Sequence, residues 1–362
     1  MKKRSFLFYV RRVIFYILIW IILFFSLFLV RYYGHGEGGL TSNENYPDAL
    51  ILILTIGLIS GMVYSILDIF YPPQLLRKRS FGFIVVSKSL FFLVFFILIS
   101  VLARMLNQYI SDQPVTGFRE SLVSLFTISG KNTLVIFFAT SLFVVLLNFM
   151  QQIDRKYGPG VILKVFIGQY HKPREEYKLF MFLDVKSSTA IAEKLGHLKY
   201  SELMQDFFYD LSEQAYNYYS WIYQYVGDEA VITWDVKNHK SIAQCLGLYF
   251  KIKGVIEKRS AHYTRKYGVI PSFRAGIHLG LVTVAEVGKF KREIAYHGGS
   301  INLASRIQHK AKILDKDLLI SEDTYKLIEE TNLREKYKFE YLGKFSILGK
   351  RDPIGLISVE KN

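Results

Sequence analysis

Cysteine is nearly absent: Cys245 stands alone among 362 residues. One thiol excludes an intramolecular disulfide and any metal centre built from clustered cysteines. On its helical pattern, Cys245 reads as a core residue. Acidic charge is also scarce, with 31 Asp and Glu against 46 Lys and Arg, a net charge of +15. Such an excess suits nucleic acid, but no basic helix with base-reading side chains and no zinc-ligand spacing accompanies it. The expectation is therefore no nucleic-acid partner. A secretory leader is not expected either: the first apolar run is too long, and no small-residue cleavage site follows it. The apolar runs lack the inverted repeat and paired broken helices of a transporter. The loops between them are too short for a folded outer sensor domain.

What is present divides near residue 150. The earlier part is dominated by Leu, Ile, Phe and Val; the later part has ordinary globular composition. Four apolar runs, about 13–30, 50–70, 81–102 and 133–150, approach the roughly twenty residues that a membrane helix needs. They predict a four-helix transmembrane domain over residues 1–150. Lys and Arg precede the first run, separate the second from the third (Arg77, Lys78, Arg79) and follow the fourth (Arg155, Lys156, Lys164). The positive-inside rule then puts both ends in the cytoplasm. The expected location is a bacterial inner, that is plasma, membrane. Asp68 and Lys88 fall near the cytoplasmic side, where mutual pairing or snorkelling explains them.

Residues 151–177 form a short connection. Gly158-Pro159-Gly160 breaks any helix leaving the membrane. A short link with stiff turns favours mechanical transmission over a loose tether.

Residues 178–362 carry the chemistry. The apolar run 178–185 reads as a buried central strand ending in Asp184. Ser188 and Thr189 suit the cap of a following helix. A second helix is expected at 200–220, with Leu203, Phe207, Leu211, Ala215 and Tyr218 as its core face. Strands at 222–225 and 230–234 flank the Gly227-Asp228 turn, and a single long helix is expected at 239–267. Residues 272–278 and 280–287 read as a hairpin, Gly298–Gln308 leads into a helix, and later strands fall at 318–320, 337–342 and 354–359. The order β-α-β-β-α-β with additions predicts an α+β, ferredoxin-like domain: an antiparallel sheet with helices on one face. Two carboxylates, Asp184 and Asp228, meet at adjacent strand ends. Such pairs suit Mg²⁺, which binds one or two carboxylates together with substrate phosphates. Glu229, next to Asp228, is expected on the opposite face of its strand. His278 and His297 read as strand and turn residues.

Over about residues 178–359 the chain resembles the catalytic domain of class III nucleotidyl cyclases. The resemblance rests on Phe182-Leu183-Asp184-Val185 with Thr189 after it, on Val226-Gly227-Asp228-Glu229, on Arg274-Ala275-Gly276-Ile277-His278-Leu279-Gly280, and on Gly298-Gly299-Ser300-Ile301-Asn302-Leu303-Ala304-Ser305-Arg306-Ile307. It implies that Asp184, Asp228 and the Val185 carbonyl hold two divalent ions, Mg²⁺ or Mn²⁺. One ion would activate the ribose 3′-hydroxyl and the other clamp the triphosphate. The turn of Ser187, Ser188 and Thr189 would lend N–H groups to phosphate oxygens. Asn302 would orient the ribose, and Arg306 would meet charge developing at the α-phosphate. In this family the metal pair and the Asn/Arg pair come from opposite protomers, which implies a homodimer with shared sites.

The chain departs from the family pattern at three positions. The two purine-reading positions hold Gln224, where adenylate cyclases often have Lys and guanylate cyclases Glu, and Ala295, where Asp, Thr or Cys is usual. Gln can donate or accept, so either purine fits it, and Ala offers no side-chain hydrogen bond. The usual triphosphate lysine is replaced by Leu348, with Lys350, Arg351 or Lys344 nearby to compensate. The resemblance therefore implies a membrane-anchored cyclase acting on ATP, with GTP as the alternative substrate. A cyclase-like nucleotide-binding sensor with weak or no turnover is the competing reading.

Overall fold

A computed structural model describes residues 2–33, 46–70, 79–110, 114, 116–125, 131–157, 167–236, 240–329, 331–348 and 351–362. Gly158-Pro159-Gly160 and Lys350 lie outside the described residues. The chain forms two units, Met1–Pro159 and Gly160–Asn362.

The first unit holds α1 (Lys2–Tyr33), α2 (Tyr46–Phe70), α3 (Phe81–Ile110), α4 (Phe118–Leu125) and α5 (Lys131–Tyr157). Helices α1 and α2 touch at Gly57 and Gly61, where a Cβ on Gly61 would stand 2.6 Å from the Ile17 Cα. Small residues four apart let two helix backbones approach this closely. Tyr16, Trp20, Tyr64 and Phe92 build an aromatic core, with the rings of Trp20 and Phe92 stacked at 4.8 Å.

Polar side chains point into this unit and several pair with one another, because a buried polar group without a partner is costly. Lys88 Nζ donates to Asp68 Oδ1 at 2.7 Å. Tyr64 donates to Asn148 Oδ1 at 2.9 Å, and Asn148 Nδ2 to Ser89 Oγ at 3.0 Å. Gln151 Nε2 reaches the hydroxyls of Tyr16 and Tyr64. Large apolar side chains such as Phe15, Ile22, Val86, Phe91 and Phe138 are exposed.

The expectation of four membrane spans is supported only in part. Among the described residues one segment, Phe81–Leu102, is long and apolar enough to cross a membrane by length and composition. Val13–Leu29, Leu54–Asp68 and Phe137–Ile153 are shorter apolar stretches. Arg11 and Arg12 precede the first of these, Asp68 closes the second, and Asn148, Gln151 and Gln152 interrupt the third.

The second unit is built on an eight-stranded sheet: β1 (Arg174–Val185), β2 (Trp221–Val226), β3 (Glu229–Asp235), β4 (Phe273–Val287), β5 (Glu293–His297), β6 (Leu318–Ser321), β7 (Tyr337–Phe345) and β8 (Ile354–Lys361). The strand order is β2-β3-β1-β4-β6-β8-β7, with β5 paired to β4. All pairings are antiparallel except β4 with β6. The helices are α6 (Ser188–Leu195), α7 (His197–Asn217), α8 (Lys240–Lys258), α9 (Ser260–Tyr267), α10 (Gly299–Ile313) and α11 (Glu322–Glu329).

Alternation along the strands sorts two cores. Leu179, Met181 and Leu183 face α7 and α8, together with Phe207, Leu211, Cys245 and Ile252. Phe180 and Phe182 face the other way, towards Ala304 of α10 and the buried Tyr170. Helices therefore cover both faces, not one, because α10 has an apolar side of its own: Leu303, Ile307 and Ala311 pack on Leu319 and Leu356.

Two further expectations change. Residues 273–287 form one continuous strand, β4, because β1 pairs along its length from Phe273 to Val284. The hairpin partner of β4 is β5. The long helix expected at 239–267 is two, α8 and α9, with Arg259 between them. Arg259 and Tyr263 bind the buried carboxylate of Asp210 on α7, and Tyr267 binds that of Asp206. Those contacts tie the short α9 across α7.

Candidate active site

Asp184 sits at the penultimate position of β1, paired with Glu229 of β3 on one side and with Arg274 of β4 on the other. Asp228 follows Gly227, whose φ of 61° makes the tight turn between β2 and β3. The sheet thus brings Asp184 and Asp228 together, close enough for each carboxyl to act on the other. Burial first, and then the neighbouring Asp228 carboxyl, raise Asp184 to about 6, while Gln308 and Lys312 pull the other way.

Glu229 is a correction. Directly opposed residues of an antiparallel pair project to the same face, so Glu229 shares the Asp184 side of the sheet rather than the reverse side. Burial first, then Asp184 and Asp228, raise its carboxyl to about 7. The residue after a turn aspartate looks like simple alternation in sequence; only the register of β1 with β3 reveals its side.

The turn after Asp184 is anchored from outside. The Lys186 N–H donates to the Ser272 carbonyl at 2.8 Å, and its ammonium pairs with Asp317. Asp317 also takes Lys253 at 3.0 Å. Ser187 adopts a left-handed φ of 55° and precedes α6 without a side-chain cap. The expected capping by Ser188 and Thr189 is therefore corrected: α6 itself begins at Ser188, so both residues lie inside the helix. The first N–H groups of α6 have no side-chain acceptor from the cap residue, which suits an anionic ligand.

Helix α10 carries the other candidates. Ser300, Ala304 and Gln308 lie four apart and face the sheet: a Cβ on Gly280 would meet Ser300 Oγ at 2.2 Å, and one on Gly276 would meet the Gln308 backbone nitrogen at 2.1 Å. Residues two positions removed point roughly the opposite way at about 100° per residue. Asn302 is accordingly exposed and Arg306 half-buried. From the sheet-facing side, Gln308 Nε2 donates to Asp184 Oδ2 at 3.0 Å. Gln308 belongs to none of the candidate sets read from the sequence; its four-residue spacing from Ser300 and Ala304 is the signal that marks its face.

The remaining candidates are not brought to this cluster by any contact described. Gln224 on β2 is exposed, and Ala295 on β5 pairs with Ala285 of β4. Leu348 is 84% exposed. His278 is buried, with Nδ1 against Ser321 Oγ at 2.7 Å.

The residues fit divalent cations in one respect: half-buried carboxyls crowd together at Asp184, Asp228 and Glu229, and a cation would relieve that crowding. Among the described residues no group of three or more His, Cys, Asp or Glu is arranged to hold an ion. Protein ligation by two carboxylates and a carbonyl, completed by phosphate oxygens, matches the Mg²⁺ pattern.

A mixed sheet with acids at neighbouring strand ends, and a helix that turns Asn and Arg away from them, agrees with the cyclase resemblance carried by the sequence motifs. The family model for the adenylate and guanylate cyclase catalytic domain matches residues 170–357, and the chain belongs to that family. It is 31% identical over 228 residues to adenylate cyclase 2 of Rhizobium meliloti (strain 1021), covering 63% of this chain and 61% of the relative's length. A solved bacterial light-regulated adenylyl cyclase aligns with TM-score 0.53 and 16% identity over 65% of this chain and 67% of its own. A second such structure gives TM-score 0.51 and 16% identity over 61% and 63%. At that identity the likeness is one of fold.

Proposed function

We propose that the chain is a membrane-anchored nucleotide cyclase. It converts a nucleoside triphosphate, ATP in preference to GTP, into the 3′,5′-cyclic nucleotide and pyrophosphate. The reaction takes place in composite sites shared by a homodimer. The observation that carries this reading is the two-sided placement of α10. One face locks onto the sheet that bears Asp184, and the other turns Asn302 and Arg306 outward, away from the chain's own carboxylates; in the proposed dimer a second copy would supply the complementary pair.

Asp184, Asp228 and the Val185 carbonyl would hold two divalent ions, which would promote ionisation of the ribose 3′-hydroxyl and neutralise the triphosphate. The uncapped start of α6, after Ser187, offers N–H groups to phosphate oxygens, and Ser188 and Thr189 border it. Asn302 orients the ribose. Arg306 lies one helical turn further along the same face and neutralises charge at the α-phosphate as the 3′-oxygen attacks and pyrophosphate departs. Gln224 and Ala295 border the purine, and Lys350 serves the triphosphate in place of the lysine that Leu348 displaces.

Residues 1–150 anchor the chain through the four apolar helices α1, α2, α3 and α5, an even number that leaves both ends in the cytoplasm of a bacterial cell; residues 151–177 transmit, and residues 178–362 catalyse. What supports the anchor is the many large apolar side chains on the outside of the first unit, while its buried ion pair, Lys88 with Asp68, is kept inside. Membranes washed in alkaline carbonate should retain the chain; release into the supernatant would count against anchoring.

The assay is direct. Purified full-length chain receives ATP or GTP with Mg²⁺ or Mn²⁺, and cyclic product is measured. No product under any combination sinks the cyclase reading. It leaves the second reading, a nucleotide-binding sensor without turnover, which the exposed Leu348 favours.

A further inference from the structure

We propose that Gln308 is a positioning residue for Asp184, and that α10 serves two sites at once: its own protomer's carboxylate through Gln308 and the partner's substrate through Arg306. The inference rests on the shared-site reading above and goes beyond it, since it assigns a role to a residue on the sheet-facing side of the helix.

The geometry is specific. Gln308 is 6% exposed, and its Nε2 donates to Asp184 Oδ2 at 3.0 Å. An amide N–H donor suits such positioning, because it fixes one carboxylate oxygen without adding charge. Ligand carboxylates in metal sites are commonly held by such hydrogen bonds, which set their orientation. The donor's own position is fixed by the backbone. Gly276 has no side chain, and the Gln308 backbone nitrogen occupies the space that a Cβ would take, 2.1 Å away. Gly276 pairs with Phe182, two residues before Asp184 on β1. The helix is therefore seated on the strand beside the one that bears the carboxylate, and a small shift of α10 moves the amide against it. Ser300, one end of the same sheet-facing row, bonds the Leu281 carbonyl at 3.0 Å, so the row is held at two points. Arg306, two residues before Gln308, points roughly the opposite way at about 100° per residue.

The bland alternative is a buried amide that merely finds an acceptor. The two differ in what the amide controls. Gln308→Met keeps the length and removes the donor, and Gln308→Asn keeps the amide but shortens its reach. Mn²⁺ alone is titrated into the full-length chain and free ion is read by electron paramagnetic resonance. Asp184→Ala serves as the reference for loss of binding. Weakening of the Mn²⁺ Kd by about tenfold is expected in both Gln308 variants, at an unchanged circular dichroism spectrum. An unchanged Kd in a variant that folds overturns the proposal. If wild type itself binds no Mn²⁺, the metal reading fails and the proposal fails with it, for a separately visible reason.

Mixed dimers give the second readout. Two differently tagged chains, Asp184→Ala and Arg306→Ala, are co-expressed and purified through both tags, leaving one complete site. Gln308→Met is then added to either chain. The loss of cyclic product should be at least about fivefold larger when it sits in the Arg306→Ala chain, which supplies the working Asp184. Equal losses in the two placements mean that Gln308 acts only through helix stability, and they overturn the proposal. Absence of activity in the parent mixture counts against shared sites instead, and the Mn²⁺ titration then decides the role of Gln308.

Discussion

The backbone nitrogen of Gln308 occupies the position that a side chain on Gly276 would claim, with only 2.1 Å between it and an ideal Cβ. That contact seats α10 on β4, and the register of β4 with β1 places Asp184 within reach of the Gln308 amide. One glycine in a strand thus sets the distance between the candidate carboxylate cluster and the helix that carries Asn302 and Arg306.

Gly276→Ala should therefore be severe. The obstructing atoms are backbone, which cannot rotate away, so either α10 lifts or the strand bends. Overpacking of this kind costs about 3 kcal/mol or more. Urea unfolding should show that loss, and cyclic-nucleotide formation should fall with it. A substitution tolerated within about 0.5 kcal/mol would contradict the packing described.

Asp184→Ala and Arg306→Ala should each abolish turnover while the chain stays folded. Random mixing during co-expression gives about half mixed dimers with one complete site each, so about a quarter of wild-type activity should return. Activity that stays at the level of the single variants would argue for sites contained within one protomer.

Purine choice should respond to Gln224 and Ala295. Gln224→Glu with Ala295→Cys supplies the groups that the family uses for guanine. The ratio of kcat/KM for GTP over ATP should rise at least about tenfold, as expected when a site gains hydrogen bonds to one substrate only. An unchanged ratio would place base recognition elsewhere.

Asp317 anchors the turn after Asp184 through Lys186 and Lys253. Burial opposes its charge, but the two lysines outweigh it and hold the carboxyl below its ordinary value. A depressed carboxyl contributes stability above its unfolded pKa and loses that contribution as pH falls through the folded value. Asp317→Asn should therefore cost up to about 1 kcal/mol near neutral pH, given its partial exposure. The difference from wild type should shrink on acidification below about pH 4. Thermal unfolding at several pH values checks both points; a cost independent of pH would mean the lysine contacts contribute nothing.

Much of the site can be read from spacing. Asp184 ends an apolar run, Asp228 follows the glycine of a tight turn, and Asn302 and Arg306 stand four apart on a helix. Local rules of turn and period are enough to place such residues. Glu229 and Gln308 escape them. Glu229 depends on which residue of β1 it opposes, and a one-residue slip would reverse its side. Gln308 depends on how closely α10 lies to β4, which no local pattern expresses. The apolar runs of the first unit are similarly ambiguous: the sequence shows four, but interrupting polar residues leave one that meets both length and composition among the described residues.

By itself the amino-acid sequence determined the family, the strand-end acids, the helix with its Asn and Arg, and the split between an apolar and a globular half. These follow from periodicity, composition and motif, which act over a few residues. Tertiary structure alone decided that β4 runs unbroken, that helices cover both faces of the sheet, that Glu229 joins the Asp184 side, and that Gln308 reaches Asp184. Each is a matter of register or close approach between segments far apart in the chain, where the pairing of strands and the absence of one Cβ outweigh any local preference.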